Sequence, residues 1–273
     1  MPDHFEKMSP VPLTIEGSSI LHQMLRVRWA AWRQLSDEQR NAMLQHASAV
    51  FEAMESAGSA MFSLLGHKGD VMLVHFRNNF EELNQVELAL AKLPLFDYLE
   101  ATGSYLSVVE LGLYDSTAKV YAALAERAIA PHTPEWNAEI EETLARQRTA
   151  MQPRLFPEIP QHKYLCFYPM DRKRGEHKNW YQLPFAERQR QMQEHGEIGR
   201  RYAGTVRQII SGSIGFDDWE WGVDLFAEDP LVFKKLIYEM RFDEVSAVYA
   251  LFGTFYIGRR IGIDGLNDLL NLS

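Results

Sequence analysis

The sequence predicts an α+β fold: a dimeric α+β barrel made of two ferredoxin-like halves in one chain. Between residues 163 and 259, patterns typical of strands and helices follow one another as strand, helix, strand, strand, helix and strand. That order is the ferredoxin-like arrangement. The first part of the chain shows a looser alternation of the same kind. Two such halves suggest two sheets packed together as a barrel.

The N-terminal half begins its helical pattern at a recognisable cap. Ser36 is followed three residues later by Gln39, a capping box that predicts a helix running to about residue 62. Residues 116–150 are polar and partly helical, with interruptions at Pro131 and Pro134. The other predicted elements are strands around 25–32, 71–76 and 104–111 and a helix over 80–91.

Three prolines mark the boundary between the halves. Loops predicted at Pro153, Pro157 and Pro160 divide the chain into an N-terminal half, 1–155, and a C-terminal half, 156–273. The helix at about 184–202 opens at Pro184, which suits the first helical turn. The other elements predicted after the boundary are strands at about 163–169, 205–212, 219–226 and 252–259 and a helix at about 229–240.

The composition excludes several classes of protein. The net charge of −9 over 273 residues argues against a surface for nucleic acid. Cys166 is the only cysteine, which excludes a disulfide framework and predicts a buried, inert thiol in an apolar strand. No apolar run approaches the roughly 18–20 residues that span a bilayer, and the first residues lack the pattern of a signal peptide. We therefore expect a cytoplasmic protein without a membrane span.

His195 lies in a predicted helix, on the same side as several apolar residues. Gly196 and Gly199 each cost about 1 kcal/mol relative to alanine inside a helix, and close approach of a bulky planar group would explain them. A neutral imidazole on an apolar wall suits iron held in a macrocycle. The alternative is an ordinary packed or exposed helix histidine. The neighbours on its side are Met192, Ile198, Gly199 and Tyr202.

Tyr168 ends an apolar strand beside a basic cluster. Cations near a phenol would lower its pKa and hold carboxylates beside it. The alternatives are a core tyrosine with a satisfied hydroxyl and a solvated charged loop. Together, the tyrosine, the cations and the histidine helix predict a pocket for a large, flat, anionic ligand that carries a metal. The cations are Arg172, Lys173 and Arg174, with further guanidiniums at Arg154 and Arg241.

Several motifs in register carry a more specific resemblance. They are Tyr168-Pro169-Met170 with its basic tail, His195-Gly196 with Ile198-Gly199-Arg200, Tyr202-Ala203-Gly204, Gln208–Ser213, Gly215–Asp218 and Tyr238–Ser246. From about residue 150 to 260, the chain closely resembles the coproheme decarboxylases, the iron-coproporphyrin enzymes of the chlorite dismutase superfamily. The N-terminal half is similar more diffusely, through Phe76-Arg77 with Glu81–Leu83 and through Tyr105–Glu110.

The resemblance implies a role for each matching residue. His195 corresponds to the proximal ligand of the coproheme iron and Tyr168 to the catalytic tyrosine. Arg172 stands where the family often has lysine. Further contacts are expected in residues 132–140, with Asn137 as a candidate. The implied substrate-binding residues are Arg154, Tyr168, Pro169, Met170, Asp171, Arg172, Gln208 (over the open face of the iron), Arg241 and Ser246.

The resemblance also implies an activity. Hydrogen peroxide would drive oxidative decarboxylation of two propionates of iron coproporphyrin III to vinyl groups, through a radical on Tyr168. The product would be heme b, formed in the last step of coproporphyrin-dependent heme biosynthesis. We expect His195 to lack a strong carboxylate partner, which would limit ordinary peroxidase turnover. The family implies a homopentamer and transient contact with a ferrochelatase.

Two other functions stay open. Chlorite dismutases place an arginine over the iron, where this chain has Gln208, and a neutral amide cannot stabilise a departing hypochlorite as a cation would. A heme carrier or sensor would need His195 and the pocket but no redox tyrosine.

Overall fold

The computed structural model describes residues 11–271 as strands and helices around one sheet. The strands are β1 (Thr14–Val27), β2 (Ser59–Leu65), β3 (Val71–Arg77), β4 (Leu99–Gly112), β5 (Tyr164–Arg172), β6 (Arg207–Gly212), β7 (Trp221–Ala227), β8 (Ala250–Phe252) and β9 (Tyr256–Ile261). The helices are α1 (Trp29–Trp32), α2 (Asp37–Ser56), α3 (Phe80–Ala91), α4 (Tyr114–Glu126), α5 (Pro134–Leu155), α6 (Phe185–Arg201), α7 (Leu231–Met240), α8 (Glu244–Tyr249) and α9 (Ile263–Leu270). Two 3₁₀ helices span Pro94–Tyr98 and Trp180–Gln182.

The fold is mixed α+β with an antiparallel sheet. Its strand order is β7-β6-β4-β1-β3-β2-β9-β5-β8, and a further pairing of β7 with β5 closes eight of these strands into a ring. The short β8 pairs with the end of β5, beyond the part that pairs with β9. The strands therefore form one continuous sheet rather than the two that the sequence predicts.

The two parts of the chain contribute adjacent blocks of this sheet. The first part supplies the order β4-β1-β3-β2, and the second supplies β6-β7-β5-β9. Pairing of β4 with β6 and of β2 with β9 joins the blocks at both edges. Closure gives every strand of the ring a partner on both sides, although β4 and β6 pair only through Val108 and Val109 with Gly212 and Ser211.

Alternate residues along each strand separate the interior of the ring from the helix-covered outside. Phe62, Phe167 and Phe226 belong to one interior cluster with Ile20 and Met24. On the outer side of the second block, Cys166 and Tyr168 pack with residues of β7 and α7. Side-chain parity along β5 therefore decides which of its residues face the helices.

Most predicted elements of the N-terminal half are confirmed, with shifted ends. Both hydrogen bonds of the Ser36–Gln39 capping box are present, and β3 and α3 lie where the sequence places them. The helix predicted to about 62 ends at Ser56 instead. Gly58 follows with a φ of 88°, a left-handed conformation that glycine adopts readily, and β2 begins at the next residue.

The prediction of a strand around 25–32 is wrong at its C-terminal end. β1 ends at Val27, and Trp29–Trp32 is helical. Trp32 is fully buried and donates its indole N–H to the carbonyl of Leu270 at 2.8 Å. This contact spans most of the chain, which explains why local pattern did not predict it.

Pro153 lies inside α5, so the predicted loop at this proline is wrong. The helix starts at Pro134, where Thr133 caps it, and continues to Leu155. Proline removes the hydrogen bond to the carbonyl four residues before it and disturbs the preceding turn, and α5 ends two residues after Pro153. The connection between the halves therefore follows Leu155.

The C-terminal half contains two α-helices that were not predicted, α8 and α9. α8 is capped by Asp243, whose side chain accepts a hydrogen bond from the backbone amide of Ser246. The last predicted strand is divided into β8 and β9, and Pro184 is the N-cap of α6 rather than part of its first turn. In the described range 11–271, no helix is long and apolar enough to cross a membrane.

Candidate functional site

The inner face of α6 carries His195 at its centre. At 100° per residue, Met192, Ile198 and Gly199 lie on the same side as His195, and all four are partly buried. On the opposite side, Gln193, Glu197 and Arg200 are exposed. α6 packs chiefly on α7 and α8, whereas α5 lies directly on β1. The inner face of α6 thus faces the interior of the protein, but α6 packs mainly on helices rather than on a strand.

A carboxylate orients the imidazole of His195. Nδ1 of His195 lies 2.8 Å from Oδ2 of Asp243, and the hydroxyl of Ser246 lies 3.5 Å from the same nitrogen. Asp243 accepts two further hydrogen bonds from Ser246, one from the backbone amide at 2.7 Å and one from the hydroxyl at 3.2 Å. The expectation that His195 lacks a carboxylate partner is therefore wrong.

The charge on Asp243 is stabilised by these contacts. Burial alone would raise the pKa of its carboxyl group, but the hydrogen bonds from His195 and Ser246 and the electrostatic attraction of His195 lower that pKa below its usual value. A carboxylate that accepts from Nδ1–H selects the tautomer in which Nε2 carries the free electron pair. Nε2 is then the nitrogen available to bind a metal.

Among residues 11–271, no group of three or more histidine, cysteine, aspartate or glutamate side chains could hold a bare ion.

The residues of β5 point in two directions. Tyr168 belongs to the cluster on the helix side of the strand, and Met170 packs against that cluster. Arg172 continues the same alternation. Pro169 and Asp171 fall on the opposite side, where Asp171 accepts a hydrogen bond from the amide of Glu220 at 2.8 Å. Of the five consecutive residues implied as substrate-binding, three therefore face α6 and two do not.

Tyr168 is buried among aromatic rings. Its ring stacks on Phe255 with centroids 4.5 Å apart and lies 5.8 Å from that of Phe252. Burial raises the pKa of the phenol above its usual value, and this effect outweighs the opposite influence of Arg241 and Arg172. The expectation that nearby cations lower the pKa is wrong, because the loss of hydration dominates.

Arg172 is a buried guanidinium with aromatic and sulfur neighbours. It lies over the ring of Trp180 at 5.0 Å and donates a hydrogen bond to the sulfur of Met192 on α6 at 3.4 Å. Burial lowers its pKa, opposed by the nearby Tyr114 and other groups. The carboxylate of Glu220 accepts a hydrogen bond from the backbone amide of Arg172 at 2.7 Å, and Glu220 and Asp243 are near enough to favour its charge. A buried cation of this kind is suited to bind an anionic ligand.

Gln208 and Arg241 lie at two further edges of this region. A side chain added at Gly199 would contact Oε1 of Gln208 and the methyl group of Met240, each at 3.6 Å. Gly199 therefore leaves Gln208 next to the inner face of α6. Arg241, at the end of α7, lies over the ring of Phe252 at 3.7 Å, beside Tyr168.

Two other implied residues, Arg154 and Asn137, lie away from α6 and from the helix side of β5. Arg154 is exposed near the end of α5, and Asn137 is exposed near its start. No described contact joins either residue to α6 or to the helix side of β5. Ser246 is buried and bonded to the His195–Asp243 pair.

The main residue that sequence reasoning missed is Asp243. It lies within the conspicuous segment Tyr238–Ser246, but its partner is 48 residues away. A helix-start signal was present, because Asp243 precedes the acidic residue Glu244. That signal would have predicted α8 but not the bond to His195.

Comparison with known proteins places this geometry in a family. The chlorite dismutase family model matches residues 40–261. A heme-binding protein from Thermus thermophilus is 37% identical, with a TM-score of 0.80 over 96% of this chain and 99% of that one. The chlorite dismutase of Candidatus Nitrospira defluvii in complex with imidazole shares the fold, with 18% identity and a TM-score of 0.68 over 94% and 96% of the two chains. The chain belongs to the chlorite dismutase family.

Proposed function

We propose that this protein is a coproheme decarboxylase. It would use hydrogen peroxide to convert two propionates of iron coproporphyrin III to vinyl groups and so form heme b, in the last step of coproporphyrin-dependent heme biosynthesis. The similar protein from Thermus thermophilus binds heme, which supports a porphyrin ligand.

One observation carries the proposal: contacts between α6 and the β5 face lie on both sides of His195. Met192 on α6 contacts Arg172, while Ile198 and Tyr202 pack against the cluster that contains Tyr168. His195 lies between these contacts along the helix, with its Nδ1 held by Asp243. A ligand bound at Nε2 would thus have a phenol and a buried guanidinium along the facing strand.

The residues fit an iron porphyrin with carboxylate side arms. The imidazole would bind the iron, and the partly buried inner face of α6, with Gly199 in place of a larger residue, would accept the flat ring. Arg172 would pair with a propionate. When bound, the iron porphyrin supplies the redox chemistry with peroxide, while the protein supplies position and electrostatics.

Tyr168 would act directly on the substrate. Its phenoxyl radical would take a hydrogen atom from the β-carbon of a propionate and so return to the phenol. The propionate would then lose one further electron and carbon dioxide and become a vinyl group. In total, each propionate gives up two electrons, and with one proton from solvent one peroxide is reduced to two waters. Burial of Tyr168 among Phe252 and Phe255 would shield the radical from solvent.

The remaining implied residues would orient the substrate. Gln208 would lie over the open face of the ring, and Arg241 would hold a propionate at the pocket edge. Ser246 would act through Asp243 and His195 as well as on a propionate. Met170 would contact the substrate from the helix side of β5. Arg154, Pro169 and Asp171 complete the proposed substrate-binding set but would have to reach the ligand from outside that face.

We further propose two ferredoxin-like halves, 1–155 and 156–273, the second of which binds coproheme. Read in one direction around the ring, the strand orders β4-β1-β3-β2 and β9-β5-β7-β6 support this division, because each block has the same relative order. We also propose that the protein is a cytoplasmic homopentamer and that it contacts a ferrochelatase transiently.

Two functions are alternatives to coproheme decarboxylation. A chlorite-decomposing enzyme is consistent with the family, but Gln208 in place of a cation disfavours it. A heme carrier or sensor would not need a phenol on the face that meets α6.

Mixing the protein with ferric coproporphyrin III and titrating peroxide tests the proposal. Mass spectrometry should show stepwise loss of two carboxyl groups, and Tyr168→Phe should bind the porphyrin but form no product. Chlorite consumption without decarboxylation would favour the first alternative. Tight binding without any turnover would favour the second.

A further inference from the structure

A cleft runs along α7 and shares Arg241 and Phe255 with the edge of the proposed porphyrin site. Its volume is about 410 Å³, within the range of small-molecule sites. Its floor includes Cys166 and Phe233, which are almost fully buried. The lining residues are Cys166, Pro230, Phe233, Lys234, Ile237, Tyr238, Arg241, Phe255 and Ile257.

The cleft lies on the side of α7 that is turned away from α6. Glu239 accepts hydrogen bonds from Arg201 and Tyr202, so its side of α7 faces α6. Lys234 and Ile237 lie roughly 140–160° around the helix axis from Glu239. The cleft therefore opens away from α6, although Cys166 and Phe233 on its floor pack in the same cluster as Tyr168.

The chemistry of the lining is that of an amphipathic anion site. Phe233, Ile237 and Ile257 offer apolar contact, whereas Lys234 and Arg241 are cations at the same cleft. None of the lining residues is acidic, although the chain as a whole has a net charge of −9. An apolar ligand body would be buried on the floor, and a negative group would be held by the two cations.

We propose that this cleft binds a free amphipathic carboxylate. The apolar body lies against Phe233, Ile237 and Ile257, and the carboxylate pairs with Lys234 and Arg241. The exposed ring of Tyr238 covers the mouth. This binding requires no porphyrin, so it holds whether or not the proposed decarboxylase activity does.

Isothermal titration of the full chain with octanoate and decanoate tests the proposal, with decanol as the uncharged control. Each methylene group buried should strengthen binding roughly fourfold, so decanoate, with two more methylene groups, should bind about sixteenfold more tightly than octanoate. Decanol should bind at least fivefold more weakly than decanoate, because it cannot pair with the cations. Equal affinity for the two carboxylates would overturn the proposal.

Two neighbouring lysines provide a matched pair of variants. Lys234 and Lys235 are both exposed on α7, but only Lys234 lines the cleft. Lys234→Glu should weaken decanoate binding at least fivefold, and Lys235→Glu, with the same change in net charge, should leave it unchanged. An equal loss in both variants would show attraction to general surface charge and overturn the proposal. Binding to phosphatidylserine vesicles without saturable decanoate binding would also overturn it.

Discussion

His195 and Asp243 meet at 2.8 Å although they are 48 residues apart in the chain. The bond joins α6 to the start of α8, and Ser246 supports the carboxylate from its other side. Partners of this kind fix the orientation of a metal-binding imidazole and increase its basicity. The His195–Asp243 pair therefore couples the position of α6 relative to α8 to the orientation and basicity of the His195 imidazole.

Asp243→Asn should weaken iron-porphyrin binding by about 10- to 100-fold. Asparagine keeps the N-cap of α8, since it is as good a cap as aspartate, so the change removes mainly the charge next to His195. Titration followed by porphyrin absorbance would measure the affinity. Glu244→Gln, at an exposed carboxylate that pairs with Arg190, is the control and should bind normally. Unchanged affinity in Asp243→Asn would contradict an orienting role.

Arg172→Gln should reduce affinity for iron coproporphyrin III about 10- to 100-fold, the loss expected for hydrogen bonds to a charged group. Heme b, which has fewer carboxylates, should lose less. The ratio of the two affinities is the measurement, because a general loss of fold would lower both equally. Arg174→Gln changes an exposed guanidinium two residues along the chain and should leave the ratio unchanged. An unaltered ratio in Arg172→Gln would exclude Arg172 from propionate binding.

Gly199→Leu should block porphyrin binding, whereas Gly199→Ala should bind almost normally. A β-carbon at this position would lie in ordinary contact with Gln208 and Met240, but a longer side chain must displace one of them or enter the space beside His195. Gly204→Leu is the control, because nothing lies within 4 Å of a β-carbon added there. Circular dichroism would verify the fold, and normal binding by Gly199→Leu would place the ring elsewhere.

The sequence was most informative where the relevant interactions are local. The Ser36–Gln39 capping box and the apolar pattern of β3 depend on near neighbours, and both were predicted. The end of β1 depends instead on Trp32 reaching Leu270, and the closed ring depends on pairing of β5 with β7. No periodicity within one segment contains that information.

The candidate site shows the same division. Spacing placed His195 on an inner face of a helix, which is confirmed. Spacing could not supply Asp243 as its partner, nor the balance between burial and charge at Tyr168, because both depend on how distant elements pack. The alternation of side chains along a strand could have predicted that Pro169 and Asp171 face away from Tyr168.

His75 should make the fold sensitive to mild acid. Its ring is buried beside Ser59, and burial, with Arg77 and His22 nearby, lowers its pKa to about 3. Because the folded pKa lies below the unfolded value of about 6.5, the stabilisation is complete above pH 6.5 and is lost as the pH falls towards 3. At pH 5 this loss amounts to about 2 kcal/mol of the free energy of unfolding.

Urea unfolding at pH 7.5 and 5 should therefore show a smaller loss for His75→Gln than for the parent, while His46→Gln, at an exposed histidine, should match the parent. Equal losses in all three proteins would show that protonation of His75 does not limit acid stability.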